Sequence, residues 1–419
     1  MLFKTQKQAV LKNYEVLIVG GGAAGFFTAI NLAEKNKGIK IAILERGKEV
    51  LSKVRISGGG RCNVTHACFD PKELTEFYPR GSKELRGPFN QFCTGDTIEW
   101  FEKKGVSLKI EDDGRMFPDT DSSETIIDCF LKATAELNID ILTGYSVQDV
   151  FQKDDSWKID TNQGAFEANY LVFTTGSNPK IWGLLAGQAH QIIEPVASLF
   201  TFNIKDKRLV DLMGISAAAT VKVKGLKLEA TGPLLITHWG LSGPGILRLS
   251  AWGARELAAR NYQFHIQVNW LTDDFNVEDA EQKLAEIKQD HSKKIVVKKS
   301  PFDFPNRLWE RLVLAAGITE EAKWADLNKK ELHALATQLT NSEFQVNGKS
   351  TFKEEFVTAG GIDLKEVNFK TMESKLLKNV FFAGEILNID AITGGFNFQN
   401  AWTTGFIAAT AIAERINQK

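Results

Sequence analysis

"VLIVGGGAAGFFTAINLA", residues 16–33, carries no charge along its whole length. On length alone it would serve as a membrane span, for which about 18 apolar residues suffice. Its middle decides otherwise. Gly20, Gly21 and Gly22 interrupt the run, and helix interiors tolerate glycine poorly. Val16 to Val19 is the short apolar, β-branched run of a buried parallel strand, and the residues from Ala23 onward suit a helix. The stretch therefore predicts a strand at 16–19, a tight glycine turn and a helix at 23–36, with a second strand at 39–45 completing a βαβ unit.

Within that unit Gly20-x-Gly22-x-x-Gly25 has the spacing of a dinucleotide-binding turn. Gly20 makes the turn, Gly22 lets a pyrophosphate approach the backbone, and Gly25 lets helix and strand pack closely. The helix N-terminus offers free N–H groups and the positive end of its dipole to phosphate. Glu45 follows Gly25 by 20 positions (45 − 25), where a ligand for a ribose 2′-hydroxyl is expected.

Outward from this unit the chain is ordinary in bulk. It has 419 residues, 43% hydrophobic and 25% charged, with a net charge of −1. That length allows two or three domains. The charge gives no global attraction to nucleic acid or an anionic membrane. No signal peptide is expected in Met1 to Tyr14, which has lysines but no apolar core. Four cysteines without a CxxC indicate neither a disulfide scaffold nor a zinc site, and no metal site is expected. A reducing, cytoplasmic setting is the default, with no obligate protein partner in evidence.

The fold class expected is α/β. A glycine-rich loop is expected at 57–60, helices near 96–104 and 122–137, and strands near 139–143, 145–152, 156–161, 165–168 and 170–173. From about 195 to 272 short alternating runs predict an antiparallel β domain, and 276–340 turns charged and helical, with helices at 277–290, 303–315 and 328–338. A strand at 379–382, glycines and a helix at 397–416 return to the style of the beginning. Residues 1–192 with 350–419 are thus expected to form one discontinuous nucleotide-binding domain. Residues 193–275 with 341–349 would form the inserted β domain, and 276–340 a small helical one.

Three further stretches choose the nucleotide. Lys53-Val54-Arg55-Ile56-Ser57-Gly58-Gly59-Gly60-Arg61-Cys62-Asn63 is a glycine loop whose N–H groups and cations suit an anion or a flavin edge. Phe381-Phe382-Ala383-Gly384-Glu385 ends a strand on Gly-acid, where a carboxylate suits a ribityl hydroxyl. Gly394-Gly395-Phe396-Asn397-Phe398-Gln399 then opens a helix whose N-terminus suits the pyrimidine end of an isoalloxazine and the negative charge of reduced flavin. An NAD dehydrogenase has no use for a second site so far along the chain; the long FAD molecule does.

The stretches "ISGGGRCNVTH", "DGRMFP", "THWGLSGPGIL", "TAGGI" and "FFAGEILNIDAITGGFNFQNAWTTGFIAA" resemble the BaiN-like, aminoacetone oxidase-like family of FAD-dependent oxidoreductases, also described as YhiN-like flavoproteins. They span nearly the whole chain in the same order. The resemblance implies a Rossmann-like, two-dinucleotide-binding FAD domain, discontinuous, with an inserted β domain and a smaller helical one. It implies amine oxidation or reduction of steroid-type enones as activities. The flavin contacts it implies are Gly20, Gly22, Ala23, Ala24, Gly25, Glu45, Arg46, Lys53, Ser57, Gly58, Gly59, Gly60, Arg61, Cys62, Asn63, Val147, Thr175, Gly176, Gly384, Glu385, Gly395, Phe396, Asn397 and Phe398. Glu385 stands where many flavoproteins carry Asp.

Flavin carries the electrons, so the protein supplies orientation, electrostatics and a pocket. Five residues (63–67) separate Cys62 from Cys68, one more than in glutathione-reductase-type pairs, so dithiol exchange is not expected. No second G-x-G-x-x-G occurs, so any NAD(P)H would bind transiently. Substrate-side candidates are Arg115, as a clamp for an anionic group, and His238, as a proton shuttle. The reading is hydride transfer at flavin N5 to or from a small-molecule substrate. The alternatives are a flavin- and folate-dependent RNA-modifying enzyme and a non-enzymatic flavin redox sensor.

Overall fold

The computed structural model of the protein describes residues 11–272, 275–350 and 357–418. Residues 1–10, most of the lysine-bearing start, and 351–356, at the head of the returning segment, lie outside the described residues. The chain divides into two compact units. One runs to Pro195 and resumes at Val357; the other begins at Val196 and lies between them in sequence.

In the first unit β1 (Lys12–Val19) leads through α1 (Ala23–Lys35) to β2 (Ile41–Glu45) and then α2 (Ser52–Gly60). A small antiparallel sheet follows, built from β3 (Thr65–His66), β4 (Leu108–Ile110) and β5 (Arg115–Pro118), with α3 (Thr94–Lys103) before β4 and α4 (Ser123–Glu136) after β5. Next come β6 (Asp140–Thr143), β7 (Val147–Lys153), β8 (Ser156–Thr161) and β9 (Gly164–Phe173).

The main sheet is parallel at its centre, in the order β9, β1, β2, β6. The strand Val380–Phe382 joins parallel to the far edge of β9, pairing with Leu171 to Phe173. Val16, Leu17, Ile18, Ala42, Ile43, Leu171 and Val172 are fully buried, so these strands are covered on both faces. β1 begins earlier than the apolar run predicts, because Lys12 to Tyr14 pair with Phe166 to Ala168. The two strands expected at 165–168 and 170–173 are one. The first part of β9 pairs with β8 and alternates in burial, while its last four residues, Tyr170 to Phe173, are buried throughout.

The C-terminal helix Phe396–Asn417 packs along α1. A Cβ on Gly405 would lie 2.9 Å from the Thr28 Oγ1 and 3.2 Å from the Ala24 carbonyl, so this glycine sets the close approach of the two helices. Phe27 of α1 lies against Trp100 (ring centroids 4.5 Å apart) and Trp402 (5.2 Å). Arg80 forms an ion pair with the fully buried Asp390, fixing the segment just before Gly394.

The second unit is built on a seven-stranded antiparallel sheet. Its order is Ser342–Asn347, Gln263–Asn269, Ser216–Val223, Glu229–Ile236, Gly240–Ser242, Thr201–Asn203, Lys349–Ser350. Along Ser216–Val223 the residues Ala217, Ala219, Val221 and Val223 face inward, the period-2 pattern that the sequence shows. The helices Val277–Asp290, Asn306–Ala315 and Lys329–Thr340 share one hydrophobic core with this sheet, Leu284, Leu312 and Leu335 clustering with Ile266 and Val268.

Candidate cofactor and active site

The turn between β1 and α1 has the geometry that its glycines predict. Gly20 sits at φ +119, and a Cβ there would lie 2.6 Å from the Thr174 carbonyl oxygen. A Cβ on Gly25 would run into the Gly20 carbonyl. Gly22 differs: a Cβ there would meet nothing within 4 Å. It is the N-cap of α1, without a side-chain cap and with no acid in the first turn. Open space, free N–H groups and a positive dipole end therefore coincide at Gly22.

Glu45 is tied to this turn. Its Oε2 accepts from the Gly21 N–H (2.9 Å) and its Oε1 from the Gly47 N–H (2.6 Å). A carboxylate has about four acceptor sites, so a ribose hydroxyl can still be accommodated. Arg46 beside it is exposed. Across the turn, Thr174 donates to the Gly20 carbonyl (2.9 Å). The Thr175 hydroxyl is buried without a partner, and Gly176 follows at φ +58.

A second set of residues converges on the start of the C-terminal helix. The expected loop at 57–60 is the broken end of α2. Ser57 leaves helical geometry, and Gly58, Gly59 and Gly60 are all left-handed, at φ +58, +69 and +85. Cβ atoms on Gly59 and Gly60 would meet nothing within 4 Å. Asn63, with its amide oriented to satisfy both ends, donates to the Met116 and Thr65 carbonyls and accepts from the Gly395 N–H at 3.0 Å. Thr65 donates to Gln399 Oε1 (2.6 Å) and Trp402 to the Val64 carbonyl (2.9 Å). The segment 63–66 is thus bonded to the helix that opens at Gly395.

Glu385 joins the two sets. Its Oε2 accepts from Lys53 Nζ (2.7 Å) and its Oε1 from the Thr358 N–H (3.2 Å). Its neighbour Gly384, at φ +74, donates its N–H to Thr404 and abuts Ala24. Asn397 braces its own turn, exchanging two hydrogen bonds with the backbone of Ala391 (3.0 and 3.2 Å).

The other expected contacts sit as follows. Phe398 stacks on Trp402 (5.5 Å, 10°), Phe396 is buried, and Val147 is a buried residue of β7 paired with Thr161. Cys62 is fully buried, and burial pushes its thiol up to about 12, so it is packing rather than a nucleophile. Arg61 and Arg115 share Glu111 (2.5 and 3.0 Å) and both lie over the Phe117 ring. Arg115 also pairs with Asp113 (2.7 Å). His238 belongs to the second unit, exposed in the turn between Glu229–Ile236 and Gly240–Ser242 beside the exposed Trp239.

Sequence reasoning missed His66 and Gln399. Gln399 also accepts from Thr97 (2.9 Å) and donates to Thr403 (3.1 Å). His66 stacks on Phe396 (4.6 Å, 22°). Gln399 directly follows Phe398, which offered a local signal, whereas His66 lies three positions beyond Asn63 and had none of its own.

The donor set fits FAD. It provides an open glycine cradle at a helix N-terminus, a Gly-acid turn against it, an unpartnered buried hydroxyl at Thr175, and a second helix N-terminus held by the 57–66 segment. Among the described residues no group of three or more His, Cys, Asp or Glu is placed to hold a metal ion, and no helix is long and apolar enough to cross a membrane.

Comparison with known proteins agrees in extent. The profile of the family described as "HI0933-like protein Rossmann domain" matches residues 14–411. The chain is 27% identical over 412 residues to a ribosomal RNA dihydrouridine synthase of Escherichia coli K12, covering 95% of this chain and 98% of that one. It is 24% identical over 418 residues to a 3-dehydro-bile acid delta(4,6)-reductase of Clostridium scindens, covering 95% and 98%. Among solved structures, a 3-ketosteroid-delta4-(5alpha)-dehydrogenase of Rhodococcus jostii aligns with TM-score 0.52 at 12% identity, covering 98% of each chain, a likeness of fold.

Proposed function

The chain belongs to the HI0933-like Rossmann-domain family, and from that premise we propose that it is an FAD-dependent reductase of a carbon–carbon double bond conjugated to a carbonyl. The observation that carries the reading is the junction of the glycine cradle at Gly22 with the Gly384-Glu385 turn through the Ala24 contact. That contact would give one continuous surface for a long dinucleotide. Bound FAD would supply a hydride from N5, replenished by a transiently bound NAD(P)H.

The substrate class follows from chemistry common to the relatives. Dihydrouridine is uridine with its C5–C6 double bond saturated, and a delta(4,6)-reductase saturates bonds conjugated to a ketone. In both, a carbonyl activates the β-carbon toward hydride, and a proton must reach the α-carbon. Uridine in RNA is the first substrate to test. With a net charge of −1, affinity for RNA would come from local contacts rather than from the overall field.

This chain's residues would divide the work. The N–H groups at Gly22, Ala23 and Ala24 would hold the pyrophosphate. Glu45 would hold a ribose and Glu385 a ribityl hydroxyl. The 57–63 segment and the helix from Gly395 would frame the ring system, with Arg115 of the same unit as an anion clamp; His238, in the second unit, is a separate candidate for a proton shuttle. The test is direct. The purified protein is loaded with FAD, reduced anaerobically with NADPH or dithionite, and mixed with a ribosomal RNA fragment or a 4-ene-3-ketosteroid. Flavin reoxidation with formation of the saturated product supports the reading. A protein that takes up no FAD, or a reduced flavin that neither substrate reoxidises, overturns it.

A further inference from the structure

His66 ends β3, opposite Arg115 of β5. Its Nε2 lies 3.1 Å from the carbonyl oxygen of Asp113. A carbonyl only accepts, so Nε2 carries the ring's proton. Burial pushes the imidazole below its ordinary range, which leaves it neutral at pH 7. Nδ1 is then an acceptor with a free lone pair. That nitrogen is buried and has no partner.

The ring is held where it is. A Cβ on Gly114 would lie 2.5 Å from its Cε1, and one on Gly394 3.4 Å from its Cδ2. One face rests on Phe396, which in turn stacks on Phe77 (4.3 Å, 13°). A buried acceptor without a donor costs about 1–3 kcal/mol, and native proteins seldom leave one unpaired.

We propose that His66 Nδ1 accepts a hydrogen bond from a ring imide N–H, the C(=O)–N(H)–C(=O) group that isoalloxazine and uracil share. The inference rests on the flavin-reductase reading, which brings both rings to this unit. Oxidised isoalloxazine carries one ring N–H, at N3, and uracil in RNA carries its own N3–H. A steroid enone carries none. His66 flanks the Gly394-Gly395 turn that opens the C-terminal helix, the turn expected at the pyrimidine end of the flavin. In this tautomer Nδ1 holds no proton, so His66 orients a ring and does not protonate the substrate.

The experiment uses the full chain labelled with 15N-histidine, stripped of flavin, with the His66 signal identified by His66→Gln. FAD, N3-methyl-FAD and, on the FAD-loaded protein, a uridine-containing oligonucleotide are added in turn. An upfield move of the Nδ1 resonance with FAD but not with N3-methyl-FAD identifies the flavin as donor. A move only with the oligonucleotide identifies the uracil. Either supports the proposal. An unmoved Nδ1 in a protein that has visibly bound flavin overturns it and leaves the flavin reading intact, whereas a protein that binds no flavin overturns both. His66→Leu is expected to weaken binding of the donor ring roughly tenfold, and His66→Gln, which keeps an acceptor, to restore it. Equal losses for FAD and N3-methyl-FAD in His66→Leu, with no effect on the oligonucleotide, would also overturn the proposal.

Discussion

Ala24 and Gly384 meet side by side: a Cβ on Gly384 would lie 3.1 Å from the Ala24 Cβ. The first turn of α1 is thereby in van der Waals contact with the turn that follows Val380–Phe382. The cradle and the Gly-acid turn are one surface because neither residue here has a larger side chain.

The glycines of the first turn separate folding from cofactor binding. A Cβ on Gly25 meets backbone that cannot yield, whereas one on Gly22 meets open space. Gly25→Ala is expected to cost about 1–3 kcal/mol or more in urea unfolding. Gly22→Ala should leave the flavin-free protein's stability within about 0.5 kcal/mol and weaken FAD at least tenfold in a fluorescence titration. Unchanged FAD affinity in Gly22→Ala would remove the cradle from the site.

Asp390 is fully buried against Arg80. Breaking a buried ion pair of this kind costs about 3–5 kcal/mol. Asp390→Asn should lower the urea midpoint accordingly and loosen FAD, since Asp390 lies just ahead of the Gly394-Gly395 turn. A loss below about 1 kcal/mol would show that this pair does not hold the segment.

Alkaline stability follows from Cys62. Its thiol is raised by burial from 9.0 to about 12. The unfolded chain loses that proton first, so the stabilisation is whole below about pH 9 and drains away as pH rises toward 12. Cys68 and Cys129, each raised to about 11, act in the same direction. Thermal midpoints should fall across that window, and Cys62→Ala should flatten the slope by up to about 1.4 kcal/mol per pH unit. A slope identical to that of the unaltered protein would contradict the assignment.

Arg115 and His238 can be separated by kinetics. Arg115 is partly exposed and held by two carboxylates, and pairs of that kind contribute about 0–1 kcal/mol to stability. Arg115→Leu should therefore fold normally and raise KM for an anionic substrate. His238→Ala, at an exposed turn, should also keep its stability and lower kcat by about 10²-fold if the imidazole moves a proton. Unchanged kcat across pH 5–9 would leave His238 without that role.

The strand–glycine–helix unit was legible because its residues obey local rules: apolar run, left-handed turn and open N-cap all lie within ten residues. The insert's sheet was legible from alternation. What stayed hidden is non-local. Lys12 to Tyr14 are strand because β9 lies beside them, which no local pattern announces. Gly58 to Gly60 show as glycines, but that they end a helix depends on tertiary packing, with a Cβ on Gly58 meeting Phe117 at 2.9 Å. His66 went unread because a lone histidine carries no spacing signal; its meaning lies in Asp113 and Phe396, far away in sequence.

The main sheet also sets an order of manufacture. β9 has its core edge covered only when Val380–Phe382 arrives, and the side of α1 that residues 396–417 cover stays open until they follow. A nascent chain leaving the ribosome from its N-terminus must hold the raw flank of β9 and the bare side of α1 in waiting while the whole intervening unit is synthesised. Truncation anywhere before residue 380 leaves that flank open to strangers, and such fragments should be cleared by proteases rather than persist as half-working proteins.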